Sequence, residues 1–131
     1  MASYNKFNSF VEALAEKVHN LGSDTLKVAL TNSAPAATMT KLSELTGAIA
    51  SPALDSVTLT VSSSSQTSGT YKLVLADKTM TASGAVGPFR YVAIYNDTAA
   101  NDELICWYDY GSAVTLASGD TFKLDFGTEL F

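Results

Sequence analysis

Hydrophobic positions near the start of the chain fall at helical spacing. Phe7, Phe10, Val11, Leu14, Val18 and Leu21 recur at intervals of three, one, three, four and three residues, which sets them on one stripe of a helix. Glu12, Glu16 and Lys17 fall on the other side. The pattern predicts an amphipathic α-helix over 5–21, with its start between Tyr4 and Ser9. Lys17 and His19 then sit in the last turn, where a cation suits the helix dipole, and Gly22 serves as the C-cap. Such a stripe needs a surface to pack on, since each large apolar side chain buried there contributes about 1.5–3 kcal/mol.

Beyond Gly22 the period becomes two. Leu26, Val28 and Leu30 alternate with Lys27, Ala29 and Thr31, the signature of a half-buried strand. Residues 32–54 lose the alternation, contain Pro35 and Pro52, and read as an extended loop or arm with one short helical turn around Lys41 to Leu45. From Asp55 onward strand signals dominate. Val57, Leu59 and Val61 alternate with threonines, Ser62 to Gly69 reads as a polar turn, and Tyr71, Leu73 and Leu75 follow as a strand. Further strands are predicted over Lys78–Ala82, Phe89–Tyr95, Leu104–Tyr110 and Thr121–Phe126, with turns at Asn96 to Asp102 and at Ser118-Gly119-Asp120. The fold class expected is mainly β. It is an antiparallel β-sandwich or jelly-roll-like barrel with one N-terminal amphipathic helix, in a single domain spanning 1–131.

Composition narrows the possible functions. Of the 131 residues only 16% are charged, against roughly 25% in an ordinary soluble domain. There are 15 serines and 15 threonines, so the polar surface is largely hydroxyl. A net charge of -5 argues against a nucleic-acid partner, which needs clustered Lys and Arg. That charge is unevenly spread. Residues 1–90 carry 7 basic and 6 acidic groups, and residues 91–131 carry 1 basic and 7 acidic groups, giving +1 and -6. One region of the surface is therefore expected to be negative, an arrangement that aids solubility or orients the chain on a basic partner. The first ten residues lack the apolar run of a secretory signal, and no stretch approaches the roughly 20 apolar residues that span a bilayer. The expectation is a protein made in the cytoplasm, soluble there, with no membrane partner.

Candidate chemistry is sparse. His19, the one histidine, has no nucleophile or orienting acid near it in sequence and reads as a helix-surface or capping residue. Cys106, between Ile105 and Trp107, has only Glu103 and Asp109 as near charges and reads as a buried, inert thiol. Asp97, Asp102, Glu103 and Asp109 supply oxygen ligands, but their spacing is not that of an EF-hand loop, and a solvated turn is expected. Phe89, Tyr91, Tyr95, Trp107, Tyr108 and Tyr110 could form a sugar platform. Alternation puts Phe89, Tyr91 and Tyr95 on one sheet face and Tyr108 with Tyr110 on one face of the next strand, so cross-strand packing is the simpler expectation. Asn96-Asp97-Thr98 has the form of a glycosylation sequon. No phosphate loop, nucleophile elbow or dinucleotide fingerprint is present, and no catalytic, cofactor-binding or metal residue is assigned.

Several segments together resemble a known family. They are Lys6-Phe7-Asn8-Ser9-Phe10-Val11, His19-Asn20-Leu21-Gly22-Ser23-Asp24 and Leu26-Lys27-Val28-Ala29-Leu30-Thr31-Asn32, followed by Ser68-Gly69-Thr70-Tyr71-Lys72-Leu73, Gly87-Pro88-Phe89-Arg90-Tyr91, Tyr95-Asn96-Asp97-Thr98 and Trp107-Tyr108-Asp109-Tyr110-Gly111. The chain resembles small virion proteins of tailed bacteriophages over most of its length, residues 33–65 excepted. The resemblance implies a structural, non-enzymatic protein of the phage particle. Its size and β-rich, charge-poor character are similar to capsid decoration (cement) proteins, which bind the outside of the major capsid protein shell, commonly as dimers or trimers. A tail or neck component and a glycan-binding β-sandwich on the virion surface are the alternatives.

Overall fold

The computed structural model describes residues 3–49, 52–127 and Leu130. Eight strands and one helix follow in the order β1 (Ser3–Lys6), α1 (Ser9–Ala15), β2 (Leu26–Thr31), β3 (Val61–Thr67), β4 (Thr70–Leu75), β5 (Lys78–Thr81), β6 (Val86–Asn96), β7 (Leu104–Leu116) and β8 (Thr121–Leu124), with a 3₁₀ turn at Leu42–Glu44. The strands form a four-stranded sheet in the order β1-β7-β6-β2 and two two-stranded sheets, the hairpin β3-β4 and the pair β5-β8. All pairings are antiparallel. The fold is mainly β and sandwich-like, with one short helix near the N-terminus.

The four-stranded sheet is covered on both faces. On one face Val28, Leu30, Val92 and Ile94 meet Leu73 and Leu75 of β4, Met80 of β5 and Leu124 of β8 in the larger core. On the other face Ala29, Ala93, Tyr95 and Trp107 meet Phe7 and Leu45, with Ala37, Met39, Leu42 and Ala48 packed over them. This second layer is the segment expected to be a loop or arm. It does contain the short turn, but it is fastened down at several points. Thr40 O accepts from Leu104 N at 3.0 Å, Leu42 N donates to Asp102 O at 3.0 Å, and Ile49 pairs with Leu30 in both directions at 2.7 and 3.2 Å. Its apolar residues lack periodicity because they pack from an irregular backbone, so the core contribution was invisible to pattern reading.

The helix is shorter than the stripe predicts. Tyr4 to Lys6 belong to β1, which pairs with Cys106 to Tyr108, and the helix runs only from Ser9 to Ala15. It ends in a Schellman motif, with Val18 N donating to Ala13 O at 2.9 Å and Lys17 N to Leu14 O at 3.4 Å. Lys17 takes the left-handed conformation at φ 71°, not Gly22. The reversal there lets His19 and Leu21 fold back into the protein, both buried. Phe7 and Phe10 go to opposite faces of the sheet, so the helical spacing of these residues was partly coincidental.

Two further expectations change. Ser62 to Thr67 is strand, not turn, and the reversal is confined to Ser68-Gly69, with φ 52° and 81°. Positive φ at both central residues is the type I′ hairpin condition. Of the strand signal at Val57, Leu59 and Val61, only Val61 belongs to a strand, as the start of β3, and the residues before it form an irregular run that shields the outer edge of β2. Val28 N donates to Val57 O at 3.0 Å and Leu59 N to Leu26 O at 2.9 Å. The aromatic residues of β6 also separate. Phe89 lies in the larger core while Tyr91 and Tyr95 lie on the opposite face. The register slips between Phe89 and Tyr91, whose partners are Val114 and Asp109, and a bulge of this kind reverses facing beyond it.

Candidate interaction surfaces

His19 is buried, not a surface cap, and is held by the end of β6. Asn96 Oδ1 accepts from Thr98 N at 3.0 Å and Ala99 N at 3.2 Å, which fixes the amide orientation. Its Nδ2 then donates to Asp24 Oδ2 at 2.6 Å and to His19 Nδ1 at 2.9 Å. Nδ1 must accept, so the proton of the neutral ring resides on Nε2, which is buried without a partner. Burial pushes the His19 pKa down, ahead of the opposing pull of Glu103 and Asp24. With no nucleophile beside it, the ring's role here is to fasten the turn after α1 to the sheet. Asn96 is itself buried and fully engaged, so its sequon offers no accessible amide.

Cys106 lies fully buried in the larger core, and burial raises its thiol pKa. Of the acidic residues, Asp97, Asp102 and Glu103 share the β6–β7 turn, and Asp109 lies apart on β7. Asp97 pairs with Lys27 at 3.1 Å, and Asp109 accepts from Arg90 Nε at 2.8 Å and Nη2 at 3.1 Å. The guanidinium holds the Asp109 carboxyl below its ordinary value. Asp102 is pushed up, by burial first and then by Asp97 and Glu103. Folding therefore brings Lys27 and Arg90 of the first part of the chain onto Asp97 and Asp109 of the last part. Among the described residues, no three His, Cys, Asp or Glu side chains lie close enough to hold a metal ion.

Two apolar depressions stand out. One, of about 440 Å³, opens between β7 and β8, with Val92 as floor and Tyr108, Tyr110, Phe122 and Phe126 as walls. Tyr108 and Tyr110 share a face here, as expected, and Tyr110 meets Phe122 edge-on at 5.6 Å. The other, about 300 Å³, lies between the end of α1 and the β3–β4 hairpin, lined by Leu14, Leu21, Ser64 and Tyr71. Beside it runs the outer part of the predicted stripe. Val11, Leu14 and Val18 are 54%, 38% and 36% exposed. These side chains satisfied the sequence pattern yet stay partly exposed in the described fold. No helix among the described residues is long and apolar enough to cross a membrane. Compared with protein-family models, curated proteins and solved structures, the chain matches none.

Proposed function

We propose that the protein is a structural component of a tailed-phage particle. Its role is that of a capsid decoration protein that binds the outer surface of the major capsid protein shell and further copies of itself. The observation that carries this role is the partial exposure of the apolar side chains Val11, Leu14 and Val18 on a chain whose polar residues are largely serine and threonine. Exposed apolar side chains grouped around one helix mark an interaction site when they form a patch. The motif resemblance supplies the setting, and a sheet packed on both faces supplies a rigid body able to brace neighbouring subunits. No catalytic residue, cofactor or nucleic acid enters this role.

Particles lacking the protein are expected to assemble but to release their DNA at lower temperature than complete particles. Val11→Ser with Leu14→Ser should abolish binding to particles while leaving the isolated protein folded. Equal thermal stability of complete and deficient particles would reject the decoration role, and immunogold label on tails would replace it with a tail or neck position. A glycan-binding role has one observation of its own, the aromatic cleft of Tyr108, Tyr110 and Phe122. Silence of the isolated protein across a glycan array would remove it.

A further inference from the structure

The β3–β4 hairpin is an arm. Its residues Ser62 to Lys72 are exposed without interruption, although they form a regular ladder from Ser63↔Val74 to Thr67↔Thr70. Its base is anchored through Leu73 and Leu75 in the core, and one face rests Ser64 and Tyr71 beside the turn after α1, while the outer edge of β3 stays open. A two-stranded ribbon standing largely in solvent is marginal in water, and a third strand on its edge is the ordinary remedy.

The strand edges of the molecule are not equally open. The outer edge of β2 is covered by Ile49 and by Val57 to Leu59, and that of β5 receives Asp55 N at Thr81 O. β1 and β8 have four residues each and carry Lys6 and Lys123. β7 runs beyond β1 but is kinked at Gly111, where φ is 97°. Short length, a lysine, a kink and a cover are the usual protections of an edge. β3 has none of them from Ser63 to Thr67, and among the described residues no backbone group outside β4 bonds to it there. Counting from the Thr67↔Thr70 pair that closes the two-residue turn, Ser64 and Gln66 belong to the wide pairs and turn their N–H and C=O outward.

We infer that β3 is a self-association edge, pairing antiparallel with β3 of a second copy across a two-fold axis near Ser64 and Ser65. The occupant follows from charge and closure. Ser62 to Thr67 contains no ionisable side chain, so two copies meet without like-charge opposition. The nearest cation, Lys72, lies one strand away on β4. Across the four-stranded order β4-β3-β3-β4 the two lysines are about 14 Å apart. That exceeds the screening length of about 10 Å at 0.1 M salt. Each chain offers one such edge, because the other side of β3 is taken by β4, and the outer side of β4 carries Lys72 and receives Leu130 N at Leu73 O at 2.7 Å, so the pairing closes at two and neither a trimer nor a fibre follows. This deepens the self-association within the proposed virion role and rests on that role for its biological setting only.

The test is sedimentation of the full chain over a range of concentration, as wild type, Ser65→Asp and Ser65→Lys. Ser65 is exposed, so both variants should keep the wild-type circular dichroism. The wild type should dimerise, each variant alone should dimerise at least about tenfold more weakly, and an equimolar mixture of the two should recover dimers. A wild type monomeric throughout, an oligomer indifferent to both charges, or a mixture as weak as the single variants overturns the inference. Dimerisation through another surface would overturn it and leave the virion role standing. Loss of particle binding by the variant carrying Val11→Ser and Leu14→Ser, with the dimer intact, separates the two in the other direction.

Discussion

The β6–β7 pair and the β3–β4 pair use the same antiparallel hydrogen bonding for opposite ends. In β6–β7 both faces are buried, with Val92, Ile94 and Phe89 on one side and Ala93, Tyr95 and Trp107 on the other. In β3–β4 only Leu73 and Leu75 of β4 are buried, and the rest of the ladder presents serine, threonine and glutamine to solvent. A backbone ladder contributes little net stability, because each of its bonds replaces one to water. What separates the pairs is the apolar area removed from water, so one pair holds the fold and the other is left for contacts beyond the chain.

The sharpest way to break that contrast is to remove the ring of Phe89, which packs edge-on to Phe122 at 5.2 Å. Phe89→Ala should cost about 3–5 kcal/mol in denaturant unfolding, and a loss under 1 kcal/mol would show that the central pair is not the anchor. Next come two glycines, both at positive φ, one in each pair. At Gly87 an added Cβ would lie 2.5 Å from Val114 O, with φ 106°. At Gly69 it would meet nothing within 4 Å, with φ 81°. Gly87→Ala should therefore cost about 2–4 kcal/mol, combining strain with overpacking. Gly69→Ala should cost about 1 kcal/mol, from conformational strain alone. Equal losses at the two sites would contradict the contrast.

The smallest effect is a slope rather than a step. Burial holds His19 below its ordinary value in the folded state, so the unfolded chain takes up a proton there that the folded chain refuses. Stability should then be level above about pH 6.5 and decline as the pH falls below it. His19→Gln should flatten the decline between about pH 6.5 and 5, above the usual range of the carboxylates. Urea unfolding at each pH reads this directly, and an unchanged slope in the variant would remove His19 from the account.

Much of the β architecture could be read from the residues, and the errors share a cause. β2, β5, β6 and β8 show alternation or branched and aromatic residues between clear turn signals and appear within a few residues of expectation. β7 starts as expected at Leu104 but runs on past Tyr110 to Leu116. β3 was missed because period-two reading needs one apolar face, and Val61–Thr67 has none beyond its first residue. The helix was drawn too long because Phe7, Phe10 and Leu21 keep helical spacing while serving three different local structures. Facing along β6 went wrong at Phe89 because a bulge leaves no mark in composition. Cys106 was placed correctly, since its aliphatic and aromatic neighbours already described its surroundings. His19 was not, because its partners Asn96 and Asp24 are distant along the chain from it or from each other, and only the pairing of β2 with β6 brings them together.

The layer formed by residues 36–48 has a practical consequence for anyone wishing to attach a foreign peptide. By sequence it resembles the obvious insertion point, being rich in alanine and threonine and lying between strands. An insert there would lift Met39, Leu42 and Leu45 from Tyr95 and Trp107 and unroof half of the sheet. The tolerant graft site is Ser68-Gly69, at the far end of the arm, where a displayed tag would leave every buried side chain where it is.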